Sequence, residues 1–341
     1  MLPEEWPIAA EMADRPVHPA RPARERRLAV VRTDFFLPEA ERLTEQERAL
    51  MTAMLLGLVE SLSDEIRVEL PGSAPPVGEP DAALLCARLG ETGLLQQDRL
   101  VALLLRRADE ARVADQLVSG GATPRFVQGL VSHHNSIVAE AAMGLVLARG
   151  RRRDRFGHVG VDFADLDGDT AVLLAHALAA ALAVETERGD EPFAHAADAL
   201  LGRHDEGLRL EAIEGRLIAA LQAGGELDDA LLLTLADEGE LGLLTAALAE
   251  RAGISGDEAW ERLSCPGSGR LAELLRIAAV TRPAAASLFA GIGAVIGLQD
   301  PAGEIGRFDQ ISGAQAEACR RALRLNPAYR RAADRLHGQR G

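Results

Sequence analysis

The chain has 341 residues, 48% of them hydrophobic and only 3% aromatic, with 37 basic against 52 acidic residues and a net charge of −15. Every basic residue is arginine, which excludes the chemistries that need a lysine: a phosphate-binding P-loop, a Schiff base or a kinase phosphate clamp. The acidic balance argues against non-specific nucleic-acid binding, whose affinity comes from neutralised phosphates.

Leucine, alanine, arginine and glutamate dominate and are good helix formers. The composition therefore predicts an all-α protein with a Leu/Ala-packed core: a multi-helix array, built either as irregular HEAT-like helical repeats or as a helical bundle. Residues 1–38 are rich in proline and arginine without helical periodicity and read as a disordered tail, with a basic cluster at Arg21, Arg24, Arg26 and Arg27. Thr44 and Glu47 form a capping-box pattern that opens a helix with Leu50, Met54 and Leu58 on one side. Further helices are expected over 81–89 and 94–118, the latter stopped by Gly120 and Gly121. Thr123 and Pro124 cap a short helix through Val131.

The next stretch, 130–157, is the most informative. Asn135 or Ser136 caps a helix in which Val138, Ala141, Ala142 and Leu145 share one face. Ile137, Met143, Val146 and Leu147 cover the other side, so the helix is apolar nearly all round and is expected to be buried. Gly144 and the alanines allow close approach, and Gly150 is placed as the left-handed stop. Arg149, Arg151, Arg152, Arg153 and Arg155 crowd the C-terminal end, where cations suit the helix dipole.

After a polar connection, 173–184 is strongly apolar and helical, and the charged break at 187–191 is a candidate domain boundary. Helices follow near 192–203, 206–222, 227–237 and 240–252. Ser255 and Glu258 make another capping box, 271–280 and 284–298 form a pair, a loop runs to Gly313, and two last helices follow with a cap at Asn326. The expected divisions are 1–38, 39–186, 187–300 and 301–341.

The runs SHHNSIVAEAAMGLVLARGRRRDRFG, ALAERAGISGDEAWERL and LAELLRIAAVTRPAAASLFAGIGAVIG resemble the bacterial domain-of-unknown-function family 2336, over roughly residues 40–300. The resemblance implies a helical, cytoplasmic bacterial protein. It implies no activity, so it carries no catalytic residue.

Cys86, Cys265 and Cys319 are far apart and odd in number, which fits packed thiols in a reducing cytoplasm. The N-terminus has no apolar signal region, and the longest apolar run, 284–298, falls short of the roughly 20 residues that span a bilayer. A cytoplasmic protein outside the membrane is expected, with self-association through 284–298 if that run is uncovered.

The chemistry-bearing candidates are few. His133 and His134 are adjacent, whereas helical metal-ligand pairs sit three or four apart, so no metal site is expected. A histidine followed by asparagine near a helix start allows a phospho-acceptor reading for His134. Asp162, Asp165, Asp167 and Asp169 fail the calcium-loop pattern, with Thr170 where the glycine belongs, and read as helix caps. Gly291, Gly293 and Gly297 lack the nucleotide-loop spacing. No catalytic residue and no cofactor are expected. Arginine forks bind carboxylate or phosphate bidentately, so Arg149, Arg151, Arg152, Arg153 and Arg155 are the candidate site for an acidic or phosphorylated protein segment. The expected role is a non-enzymatic cytoplasmic interaction or regulatory scaffold. The alternative is a phosphotransfer bundle using His134.

Overall fold

The computed structural model describes residues 43–70, 80–121, 125–154, 157–186, 189–264 and 269–338. The N-terminal tail, Thr123, Pro124, Arg155 and Cys265 lie outside the described residues. Among the described residues the fold is all-α, a multi-helix array whose only extended pairing is a bridge between Arg153 and Val159.

The chain builds two hydrophobic cores. α1 (Glu45–Glu69), α2 (Ala82–Glu91) and the first half of α3 (Asp98–Ser119) enter the first core through Met54, Leu58, Leu85, Leu100 and Leu104. The second half of α3 leaves it and places Val113 in the second core. α4 (Phe126–Leu130) and α5 (Ser136–Arg151) add Val127, Val138, Ala142 and Leu145 there. The chain then returns to the first core through α6 (Gly168–Glu185) and α7 (Asp190–Leu201). From α8 (Leu210–Ala223) to Leu323 the chain contributes to the second core, including α9 (Asp229–Asp237), α10 (Leu241–Ala252) and α11 (Gly256–Ser264). The chain on both sides of the charged break near residue 187 belongs to the first core, with Leu182 before it and Phe193 after it.

Local chemistry explains most element ends. Asp81 accepts a hydrogen bond from the Leu84 amide, and Asp228 accepts one from Leu231. Asp167 caps α6 and also accepts from the Thr170 hydroxyl at 2.7 Å. In α6, Leu174, Leu178 and Leu182 recur every four residues with Ala171, Ala175 and Ala179 between them, so a slim apolar face packs closely on Phe193, Ala197 and Leu200 of α7. α6 is the one described helix long and apolar enough by composition to cross a bilayer, and this face is inside the first core.

Three local expectations are corrected. Gly150 is not a left-handed stop: α5 continues to Arg151, and the left-handed glycine comes later, at Gly157 (φ 85°). The run 284–298 is not one helix. α12 (Arg270–Ile277) is followed by α13 (Arg282–Ala290), which breaks at Gly291, and α14 (Ile292–Val295) is a single turn. Its Ala285, Leu288, Phe289 and Ile292 are buried in the second core. The stretch expected as a loop contains α15 (Pro301–Gln310), which Asp300 caps and Pro301 starts. α16 (Gly313–Leu323) and α17 (Pro327–Gly338) end the chain, with Asn326 accepting from the Ala328 amide.

Candidate functional site

The chain passes between the two cores three times: within α3, between α5 and α6, and between α7 and α8. Each passage carries members of one charged cluster. α3 supplies Arg106, Arg107 and Glu110. The second passage supplies Arg149, Arg152 and Asp165, and the third supplies Glu211 and Glu214. Glu240, just before α10, completes the set.

Arg152 is the best-held member. Its Nε and Nη2 donate to the two carboxylate oxygens of Asp165, both at 2.7 Å, and the guanidinium also donates to the carbonyls of Ala148 and Leu208. Asp165 in turn accepts from the Leu210 amide at 2.9 Å. Burial pushes the Asp165 carboxyl up, but these hydrogen bonds and the charges of Arg107 and Arg152 outweigh it and hold the group below its ordinary value. Arg107 is among the largest fully buried side chains of the protein. It donates to Glu110 and to Glu211, each at 2.7 Å. Arg106 donates to Glu110 at 3.0 Å and stacks over the Trp260 ring, 4.8 Å from its centre. Arg149 donates to both oxygens of Glu240, at 3.0 and 2.6 Å, and to Glu214 at 3.2 Å.

The structure therefore divides the arginine cluster of 149–155. Arg149 and Arg152 point inward and are consumed by internal carboxylates. Arg151 is exposed, and no ion-pair partner for it occurs among the described residues. Arg153 is also exposed and donates to the Gly157 carbonyl at 2.6 Å. Arg155 lies outside the described residues.

Sequence reasoning missed the carboxylates of this cluster, Asp165 among them. Asp165 was expected only as a cap, and it does stand in the cap of the turn that Asp162 opens. The arginines had a readable signal. Extending the buried positions Val138, Ala142 and Leu145 of α5 by one heptad lands on Arg149 and Arg152.

The other side of α5 corrects a second expectation: the helix is not buried all round. Ile137, Met143 and Leu147 are 67%, 43% and 59% exposed. Ile137, Glu140, Gly144, Leu147 and Arg151 follow the three- and four-residue alternation of a helix-pairing seam. A methyl placed on Gly144 would meet nothing within 4 Å, so the middle of this seam is open space.

His133 and His134 stand in the turn before α5, with Asn135 as its cap. Their rings lie 4.2 Å apart, and the possible ligand atoms of His133, His134 and Glu226 all fall within 4.8 Å of one another. A metal ion has to compete with hydrogen bonds there. The Asn135 amide donates to His133 Nδ1 at 3.2 Å, so Nε2 carries the proton and donates to Glu226 at 3.1 Å. Both ring nitrogens of His133 are thus in use, and His134 is exposed.

Two open clefts flank the charged cluster. One, of about 610 Å³, is lined by Arg99, Arg106, Arg209, Asp257 and Trp260. The other, of about 420 Å³, lies between α3, α5 and the start of α10 and has Glu214 in its wall. Burial pushes the Glu214 carboxyl up to about 7, against the pull of Arg149. Cys86 and Cys319 are half-buried, and burial pushes both thiols up, away from reactivity. Comparison with protein-family models, with curated proteins and with solved structures gave no match.

Proposed function

We propose that this protein is a non-enzymatic cytoplasmic scaffold that docks a helical segment of a protein partner on the open face of α5. The observation that carries this reading is the exposed line of Ile137, Met143 and Leu147 running into Arg151, with the exposed Arg153 just past the end of the helix. Large apolar side chains aligned on one helix face are costly to leave in water and mark interaction surfaces. The notch at Gly144 lets a second helix come close. Charge sets the partner's direction. Glu140 sits toward the N-terminal half of the seam and the arginines lie at its other end, so the occupant is an amphipathic helix with a basic residue opposite Glu140 and acidic residues opposite Arg151 and Arg153. The resemblance to the family of unknown function belongs to the same proposal, and a cytoplasmic setting fits the thiol usage.

The test uses a synthetic amphipathic helix of that charge pattern and a twin with the charges reversed, read by fluorescence anisotropy. The matched peptide is expected to bind, and Leu147→Ser or the pair Arg151→Glu/Arg153→Glu to weaken it at least tenfold. Equal binding of both peptides, or binding indifferent to these variants, refutes the reading. Self-association lost in Leu147→Ser, with no peptide binding, assigns the face to a second copy of the chain instead.

A further inference from the structure

Around Arg149 the charges do not balance. Arg106, Arg107 and Arg152 face Glu110, Asp165 and Glu211, three cations against three anions. The remaining arginine, Arg149, faces two further carboxylates, Glu214 and Glu240. Glu240 uses both its oxygens on Arg149. Glu214 uses only Oε1, and its Oε2 is fully buried with no hydrogen-bond partner. An ionised carboxylate oxygen left so is costly unless something meets it. The side chain is only 3% exposed and borders the cleft of about 420 Å³. Its position depends on a glycine: a Cβ on Gly242 would overlap the Glu214 carboxylate, so only glycine lets the carboxylate reach this spot. The rest of the cleft wall carries Arg107, Arg152 and Arg153 with Glu110 and Glu238, and an aliphatic part of Ala114, Val127, Val146 and Leu241.

We infer that this cleft is a binding site for a small organic cation, a primary ammonium on an apolar body, with Glu214 as its counter-ion. The ammonium supplies a fifth positive charge against the five carboxylates and a donor for Oε2, and the apolar body covers the aliphatic wall. An anion is disfavoured, because a carboxylate or phosphate here adds a third negative group around Arg149. Arg153 borders both this cleft and the end of α5, but the site is argued from Glu214 and does not depend on the docking reading.

Proton linkage follows from the groups that surround Glu214: Arg106, Arg107 and Glu110 from α3, Arg149 from α5, Glu211 from its own helix, and Glu240. With the Glu214 carboxyl raised to about 7 in the empty site, a bound cation has to displace a proton at lower pH. Affinity should fall about tenfold from pH 8 to pH 6, and binding at pH 7 should release about half a proton per cation.

The probe is hexylammonium, with hexanoate and 1-hexanol as controls of equal length, titrated calorimetrically into the full chain in two buffers of different ionisation enthalpy. Hexylammonium should bind at pH 8, weaken at pH 6 and release protons, while the controls do not bind. Glu214→Gln, with its helical content checked, should lose at least tenfold in affinity. If that variant does not fold, the buffer dependence of the wild-type heat decides alone. No binding up to 10 mM (about 3 kcal/mol), binding equal to 1-hexanol, or binding without proton release overturns the inference.

Discussion

Replacing Arg152 by alanine leaves the Asp165 carboxylate buried without its bidentate partner and opens the carbonyls of Ala148 and Leu208. Breaking one side of such a pair costs about 3–5 kcal/mol, so Arg152→Ala should lower the denaturant midpoint sharply. Arg151→Ala and Arg153→Ala, on the exposed side, should stay within about 0.5 kcal/mol of wild type. Equal losses at all three positions would show that the inward and outward arginines are not distinguished. A binding test must therefore avoid Arg149 and Arg152. Glu214 acts in the opposite sense with pH. Its folded value, about 7, lies above the ordinary 4.5, so between those values the folded state holds more protons than the unfolded one. Its contribution to stability is intact below pH 4.5 and is lost as pH rises through 7. Asp165 and Glu110 are held low, mainly by Arg152 and Arg107 acting against burial, and lose their contribution as pH falls. Glu214→Gln should flatten the decline of stability between pH 5 and pH 8 and leave the acid limb unchanged, as measured by denaturant titration across pH. The sequence showed that arginines crowd this region. It did not show their partners, because Glu211, Glu214 and Glu240 lie some 60 to 100 residues away along the chain.

At the scale of the element, periodicity located most helices and failed where glycine or burial broke the pattern. α15 contains Gly303 and Gly306, poor helix formers, and reads as a loop until Asp300 and Pro301 are recognised as its cap and first turn. α5 misleads in the other direction. Its apolar residues surround the helix, and nothing in its own sequence tells which of them a neighbour covers. α8 packs on the face that bears Val138, Ala142 and Leu145, and Ile137, Met143 and Leu147 stay in water. α10 supplies a sharper test. Gly242 stands beside the Glu214 carboxylate, where a methyl group would overlap both oxygens. Gly242→Ala should destabilise by about 1–3 kcal/mol, the usual cost of overpacking, although alanine is the better helix former. In a Glu214→Ala background the same substitution should cost much less, so the pair should be non-additive by at least 1 kcal/mol. Additive losses would mean that the glycine is needed for its backbone and not for the carboxylate.

The whole molecule sets two Leu/Ala cores beside each other and runs the chain between them three times, with charged residues at every passage. Composition alone pointed to such cores. The interleaving was out of reach, because a charged break near 187 looks like a boundary, while the first exchange between cores happens inside α3, where no break exists. Arg107 sits at that exchange, buried and bound to Glu110 beside it and to Glu211 across the seam. Apolar packing within each core is short-ranged and does little to make one core feel the other. A buried ion pair that spans the seam does so, because losing either core leaves an unpaired charge in the remaining one. Unfolding should then be a single transition. In a Trp6→Phe background, Trp260 fluorescence reports the second core, against which that ring packs, and circular dichroism at 222 nm reports helices of both. The two curves should coincide in the parent protein and separate in Arg107→Ala, with the loss of cooperativity exceeding that in a core variant of similar cost such as Leu178→Ala. Coincident curves in Arg107→Ala would place the coupling in the helix backbone of α3 and not in the charges that it carries across.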